Sequence, residues 1–114
     1  METLVALRDR RDGYAYAPMN LYIFVRFRAR PGSKSAITAA LREIVPPSRE
    51  ELGCVSINAF QSTGDPAAFY IHSRWVDQAA FETHAGMPHT VRFINRVELL
   101  VDHPLEVTRS VLIL

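Results

Sequence analysis

Residues 51–93, ELGCVSINAFQSTGDPAAFYIHSRWVDQAAFETHAGMPHTVRF, decide the fold of this chain. Side chains alternate over residues 54–61, where Val55, Ile57 and Ala59 are opposite Cys54, Ser56, Asn58 and Phe60, and again over residues 67–76. This period of two predicts a pair of strands. The sequence Thr-Gly-Asp-Pro at 63–66 is a turn, so the two strands are close enough along the chain to form a hairpin.

The second half of the same stretch predicts helices. Asp77 is a plausible N-cap for a short helix that carries Phe81 and His84. Gly86 and Pro88 interrupt that helix, and a second helical stretch begins near residue 89.

A similar strand and helix precede this stretch. Residues 20–28, NLYIFVRFR, alternate as a strand, and an Arg-Pro-Gly turn at 30–32 follows. Ser33 or Ser35 can cap the next helix, which the prolines at 46 and 47 are expected to end or kink. Residues 105–114, LEVTRSVLIL, form the last predicted strand.

The order strand, helix, strand, strand, helix, strand is that of a ferredoxin-like split β-α-β domain of the α+β class. It predicts a four-stranded antiparallel sheet with both helices on one face. The other face is too apolar to be left in water, so we expect a homodimer in which two sheets pack together. We assign residues 19–114 to this domain and residues 1–18 to an N-terminal extension, because the latter are polar and broken by glycine and proline.

Composition excludes several classes of function. The chain has 114 residues, of which 48% are hydrophobic and 22% charged, and its net charge is +1. Such a balance favours neither nucleic acid nor a membrane surface as a partner. The single cysteine, Cys54, cannot form an internal disulfide, and we interpret it as a small buried hydrophobe. The N-terminus lacks the order and length of a signal peptide, so we expect a cytoplasmic protein.

Several of these residues together resemble the antibiotic biosynthesis monooxygenase family. The resemblance covers about residues 20–114 and includes the Glu-Leu-Gly-Cys segment at 51–54 and the spacing of Trp75, Phe81, His84 and His89. The residue before the tryptophan is commonly Glu in that family and is Arg74 here. A role that requires a carboxylate at this position is therefore not carried over.

The resemblance implies a dimeric α+β barrel with a pocket between sheet and helices in each subunit. It also implies a cofactor-independent monooxygenase that oxidises an electron-rich aromatic compound or quinol with molecular oxygen. Two alternatives stay open. One is a non-catalytic dimeric module that binds a small hydrophobic ligand. The other is a haem-binding or haem-degrading protein, in which Asn20, Trp75 and His84 match the residues used by such relatives and His84 is the axial ligand.

His84 is the candidate catalytic base, because a neutral imidazole in an apolar pocket can accept a proton from a substrate hydroxyl. The alternative is a structural histidine beside the break at Gly86. The candidate substrate-binding residues are Trp75, Phe81, Asn20, Tyr22, Asn58 and His89. Trp75 is also expected to fill the junction of sheet and helix.

No metal ligands and no cofactor are expected. His84 and His89 are five residues apart and straddle Gly86 and Pro88, so they do not form the i, i+4 pair of a helical zinc site. No carboxylate pattern in the sequence completes a set with them.

Overall fold

In a computed structural model, residues 20–114 are described in full, and residues 4–8 and 14–18 are described as backbone. Strand β1 (Leu4–Arg8) pairs antiparallel with β2 (Tyr14–Pro18) as a separate two-stranded sheet. The sequence did not predict this hairpin within the extension. Met19, the predicted first residue of the domain, lies outside the described residues.

The main sheet has four antiparallel strands: β3 (Leu21–Arg28), β4 (Cys54–Gln61), β5 (Ala68–Trp75) and β6 (Glu106–Ser110). Their order across the sheet is β4-β5-β3-β6, so the hairpin strand β5 pairs with β3 and both edges are occupied by β4 and β6. This is the ferredoxin-like arrangement, and the predicted fold is confirmed. β6 is shorter than the predicted strand, because residues 111–114 extend beyond its pairing with β3.

Three helices complete the domain: α1 (Lys34–Arg49), α2 (Gln78–Ala85) and α3 (Pro88–Val97). Prolines 46 and 47 do not end the first helix, so that part of the prediction was wrong. Helix α1 continues through both of them to Arg49. Both lie away from the buried stripe of the helix, and the hydroxyl of the next residue, the buried Ser48, donates to the carbonyl of Ile44. Ser33 is the N-cap residue of α1, but its side chain makes no capping hydrogen bond.

The core lies between the helices and one face of the sheet. Its members alternate along the strands and recur at helical spacing along α1 and α3, and they include Phe27, Ile37, Ile44, Ile57, Phe69, Ile71, Phe93 and Val97. A second cluster of Leu21, Ile23 and Trp75 continues it toward α2. The alternation predicted for β3 and β5 is confirmed, with Leu21, Ile23, Phe27, Phe69, Ile71 and Trp75 buried on the helix side.

The predicted faces at the start of β4 were wrong. The register of β4 against β5 shifts between Cys54 and Ser56, so one extra residue is inserted there. Cys54 consequently packs against the core, and Val55 is 47% exposed. Among the described residues, no helix combines the length and the hydropathy that a membrane span requires.

Candidate active site

A pocket of about 300 Å³ lies between the helix-facing side of the sheet and helices α2 and α3. Its wall is mostly aliphatic and aromatic, with side chains from β3, β5, α2, α3 and the edge strand β6. The polar side chains in the wall are Ser73, His84, Thr90 and Arg109. A largely apolar cavity with a few converging polar groups is the usual form of a small-molecule site.

Three surface grooves are larger. One of about 380 Å³ runs between α1 and β4, one of about 330 Å³ follows the start of β4 beside Arg49, and one of about 530 Å³ surrounds Arg30 and His103. The ionisable groups of the last groove, Arg30, Glu98, Asp102 and His103, are all exposed. We place the site in the smaller pocket, because it alone of the four contains a buried histidine held by a buried carboxylate.

His84 lies near the C-terminal end of α2 and is 6% exposed. The helix begins at Asp77, whose side chain accepts a hydrogen bond from the Ala80 amide at 2.8 Å, as predicted. The His84 ring lies against the fully buried Trp75, with ring centroids 4.4 Å apart, and Phe81 is 5.9 Å away on the same helix. The indole N–H of Trp75 donates to the Ser73 hydroxyl at 2.9 Å, which fixes the surface on which the imidazole rests.

The Glu51 carboxylate joins two histidines. Its Oε2 is 2.7 Å from Nδ1 of His84 and 2.7 Å from Nε2 of His89. The Thr90 hydroxyl lies 3.3 Å from the same His84 nitrogen. Because an ionised carboxylate only accepts hydrogen bonds, both imidazoles donate to it, and His84 carries its proton on Nδ1. The second nitrogen of His84, Nε2, then keeps its lone pair.

The turn after α1 brings Glu51 to this position. The Cys54 amide donates to the Glu51 carbonyl at 3.0 Å, and the Val76 amide donates to the Gly53 carbonyl at 2.9 Å. A β-carbon placed on Gly53 would be 2.2 Å from that of Ala80, so the absence of a side chain at Gly53 allows α2 to approach the turn closely. The Gly-Cys segment thus sets the distance between Glu51 and His84.

Burial lowers the pKa of His84, and the neighbouring His89 acts in the same direction. The hydrogen bond and the charge of Glu51 oppose this effect, but burial is the larger cause. The imidazole is therefore neutral near pH 7, which is the state that a general base requires.

Arg109 brings a positive charge to the pocket from the edge strand β6. Its guanidinium lies 5.0 Å from the centre of the Phe81 ring, and it is 3.6 Å from the carboxylate of Glu82. The side chain is 46% exposed, so it lies at the boundary between pocket and solvent.

The structure brings some of the predicted site residues together. His84 and Phe81 line the pocket. Trp75 lies directly behind them and is fully buried, and His89 contacts the same Glu51 oxygen as His84.

Asn20, Tyr22 and Asn58, also predicted as substrate contacts, do not line this pocket. Tyr22 and Asn58 alternate with core residues on β3 and β4, so their side chains lie on the outer face of the sheet. Arg74 extends from that face as well, donating to the Asn20 side chain at 2.6 Å and lying 5.3 Å from the centre of the Tyr22 ring.

Sequence reasoning missed Glu51, Thr90 and Arg109 as site residues. Glu51 belongs to the Glu-Leu-Gly-Cys segment that carried the family resemblance, and that segment was the available signal. The statement that no carboxylate completes a set with His84 and His89 was wrong, because ligand atoms of all three residues lie within 4.8 Å of one another. Thr90 and Arg109 gave no signal in the sequence.

Comparison with known proteins agrees with this fold. The family model described as antibiotic biosynthesis monooxygenase matches residues 20–96. Putative monooxygenase Rv0793 of Mycobacterium tuberculosis is 31% identical over 86 residues, which are 75% of this chain and 84% of that protein. Putative monooxygenase YcnE of Bacillus subtilis is 26% identical over 83 residues, 73% of this chain and 87% of that protein.

Solved structures of similar proteins have the same fold. The structure of Rv0793 superposes with a TM-score of 0.79 at 28% identity and covers 82% of this chain and 95% of its own. That of PA3566 from Pseudomonas aeruginosa gives a TM-score of 0.80 at 29% identity and covers 88% of this chain and 100% of its own. With the family match extending over both strands of the hairpin, Glu51 and the two histidines, this chain belongs to the antibiotic biosynthesis monooxygenase family.

Proposed function

We propose that this protein is a cofactor-independent monooxygenase that oxidises an electron-rich aromatic compound or quinol with molecular oxygen, and that it acts as a cytoplasmic homodimer. The observation that carries the proposal is a neutral histidine, His84, held at Nδ1 by a buried carboxylate in the wall of an apolar pocket. Rv0793 and YcnE both carry the name putative monooxygenase, which supports the general activity.

His84 is oriented as a base. With Nδ1–H donated to Glu51, Nε2 is the nitrogen left to accept a proton from a substrate hydroxyl. A carboxylate that fixes the tautomer of a catalytic histidine in this way also stabilises the imidazolium that forms after proton transfer. Glu51 thus acts through His84, as a positioning residue.

The pocket suits an aromatic substrate that becomes an anion. Aliphatic side chains and Phe81 form its wall, and a volume of about 300 Å³ is enough for a small ring system. The Arg109 guanidinium at the boundary of the pocket is the charge available to stabilise a phenolate. In this proposal Arg109 and the hydroxyl of Thr90 replace Asn20, Tyr22 and Asn58 as the polar contacts of the substrate.

The chemistry needs no external reductant. After His84 takes the hydroxyl proton, the phenolate is electron-rich enough to give one electron to oxygen, and the two radicals combine at a ring carbon. One oxygen atom stays on that carbon, which loses its hydrogen, and the other leaves as water. The phenol becomes a quinone, and the substrate supplies all of the electrons.

Oxygen uptake tests the proposal. Phenols, quinols and anthrones are screened with chelator-treated protein and without flavin. General base catalysis contributes about 10²–10⁴-fold, so His84→Ala is expected to lower turnover by roughly that factor while the fold is retained. Trp75→Phe should cost less, because Trp75 supports the wall from behind. His103→Ala is the matched control, since the His103 side chain is 46% exposed and does not line the pocket.

Three outcomes would contradict the assignment. Full uptake by His84→Ala would show that another group is the base. Saturable binding of the same aromatics without uptake would favour the non-catalytic binding module. A Soret band after addition of haem, lost in His84→Ala, would favour the haem-binding alternative.

A further inference from the structure

The Glu51 carboxylate and the imidazoles of His84 and His89 form a cluster of potential metal ligands. Oε2 of Glu51, Nδ1 of His84 and Nε2 of His89 converge within 4.8 Å, and their side chains are 7%, 8% and 14% exposed. The three residues come from the turn after α1, from α2 and from α3. Each ligand is therefore held by a different element, and the cluster is preformed.

The donor set is that of a divalent transition metal. Two imidazole nitrogens and one carboxylate oxygen are the protein ligands of many zinc sites with an open fourth position. Metal bonds of about 2.0–2.2 Å would hold these atoms about 3–3.5 Å apart, against 2.7 Å between Oε2 and each nitrogen in the hydrogen-bonded cluster. Oε2 must therefore move away from each nitrogen by about 0.3–0.8 Å for the ion to enter.

We propose that Glu51, His84 and His89 bind a divalent transition metal ion such as Zn²⁺, and that the bound ion switches off His84 as a base. The ion takes the lone pair of Nδ1, so the remaining ring proton of neutral His84 lies on Nε2. Nε2 then donates a hydrogen bond and no longer accepts a proton. The metal site stands independently of the proposed function, and only its inhibitory effect rests on it.

His89 is the most exposed of the three side chains, and it lines a small surface recess with Glu43 and Arg92. The Thr90 hydroxyl lies beside His84 Nδ1. Either this hydroxyl or a water molecule can therefore be the fourth ligand of the ion.

Metal titration of the full chain tests the site. Zn²⁺ is titrated into chelator-treated protein by calorimetry, and Co²⁺ is followed by its visible absorption. We expect one equivalent to bind per chain. Glu51→Gln and His89→Asn should each weaken binding by at least about 100-fold, the upper end of what the loss of an outer-shell partner costs.

His103→Ala is the matched control. His103 contacts Asp102 and is 3.6 Å from the Glu106 carboxylate, so it is the centre of a competing exposed cluster. Binding that is lost in His103→Ala but kept in His89→Asn would overturn the proposal, as would the absence of saturable binding of both metals to the wild-type chain.

A measurement on the wild-type chain avoids reliance on variants that fold poorly. Deuterium exchange at the imidazole carbon, followed by peptide mass spectrometry, reports each histidine separately. Zn²⁺ should slow exchange in His84 and His89 and leave His72 and His103 unchanged; the reverse pattern would overturn the site.

The effect on activity separates the two proposals. One equivalent of Zn²⁺ should abolish oxygen uptake, and chelator should restore it. Zinc binding in a protein with no oxygen uptake would contradict the proposed function and leave the site standing. Uptake in a protein that binds no zinc would contradict the site alone. Zinc that binds without reducing uptake would refute the switch at Nε2.

Discussion

Glu51 determines which nitrogen of His84 carries the proton. An imidazole in an apolar pocket can carry its proton on either nitrogen, and only one tautomer presents a lone pair to a substrate. The 2.7 Å hydrogen bond to Glu51 selects the Nδ1–H form, while burial holds the pKa of His84 down. The function of the site therefore depends on a residue that makes no contact with the substrate in the proposed mechanism.

Gly53→Ala should destabilise the protein and disturb the site. The new methyl group would be 2.2 Å from the Ala80 β-carbon, which is fixed to α2, so the helix would have to move away from the turn that holds Glu51. Overpacking of this kind costs about 1–3 kcal/mol. Urea unfolding measures the loss. Ala80→Gly should recover part of it in the double variant, and strictly additive losses would show that this contact is not the cause.

At the residue scale, sequence reasoning found the histidine and missed its partner. His84 and Phe81 share a helix, and their three-residue spacing places them together on one face. Glu51 is 33 residues from His84, and the sequence carries no pairing rule for contacts made through packing at that separation. Tyr22 and Asn58 lie on the face of the sheet away from the pocket. Polar and aromatic side chains occur on both faces, so residue type does not tell which face holds the pocket.

Helix α2 is short, and it carries Phe81 and His84 of the pocket wall. It has eight residues, and its one side-chain cap is the Asp77 carboxylate bonded to the Ala80 amide. Isolated helices of this length are unstable, so the helix depends on its cap and on packing against β5 and α3.

Asp77→Ala should therefore lower the free energy of unfolding by about 1 kcal/mol, within the 0.5–2 kcal/mol range of N-cap losses. It should also loosen His84 at the other end of the helix. Asp77→Asn is the matched control, because it keeps the capping oxygen and should remain near wild type. Denaturant unfolding gives both values, and an unchanged Asp77→Ala midpoint would show that packing alone holds α2.

Strands and helices were predictable where the hydrophobic pattern and the turn residues indicate the same boundaries. The hairpin of β4 and β5 follows from two alternating runs around a Thr-Gly-Asp-Pro turn. The passage of α1 through two prolines did not follow, because it depends on their position relative to the core. The bulge after Cys54 likewise arises from pairing with β5 and has no local signal.

At the scale of the whole molecule, residues 20–114 contain the complete four-stranded sheet and both core clusters. The hairpin of β1 and β2 forms a separate sheet. A chain that begins at Met19 should therefore melt cooperatively close to the temperature of the full chain, as measured by circular dichroism. Loss of the cooperative transition would assign residues 1–18 to the core or to an interface.

The outer face of the main sheet is the largest feature that a single chain leaves unexplained. Phe24 and Phe60 are 43% and 47% exposed there, and both rings contact His72 at 5.0 Å. Leu112, Ile113 and Leu114 extend beyond β6 and are also exposed. Burying a few hundred Å² of such surface yields on the order of several kcal/mol at about 25 cal/mol per Å², before the costs of association.

We therefore expect the protein to be a homodimer at micromolar concentration, with the two sheets packed face to face. Light scattering should give twice the chain mass of 12.9 kDa. Phe24→Glu, which places a charge on that face, should shift the equilibrium toward monomer, because burying an unpaired carboxylate costs more than the contact returns. Val91→Glu is the matched control, since Val91 is 45% exposed on α3, on the opposite side of the domain. A wild-type monomer, or a dimer broken equally by both substitutions, would rule out the sheet face as the interface.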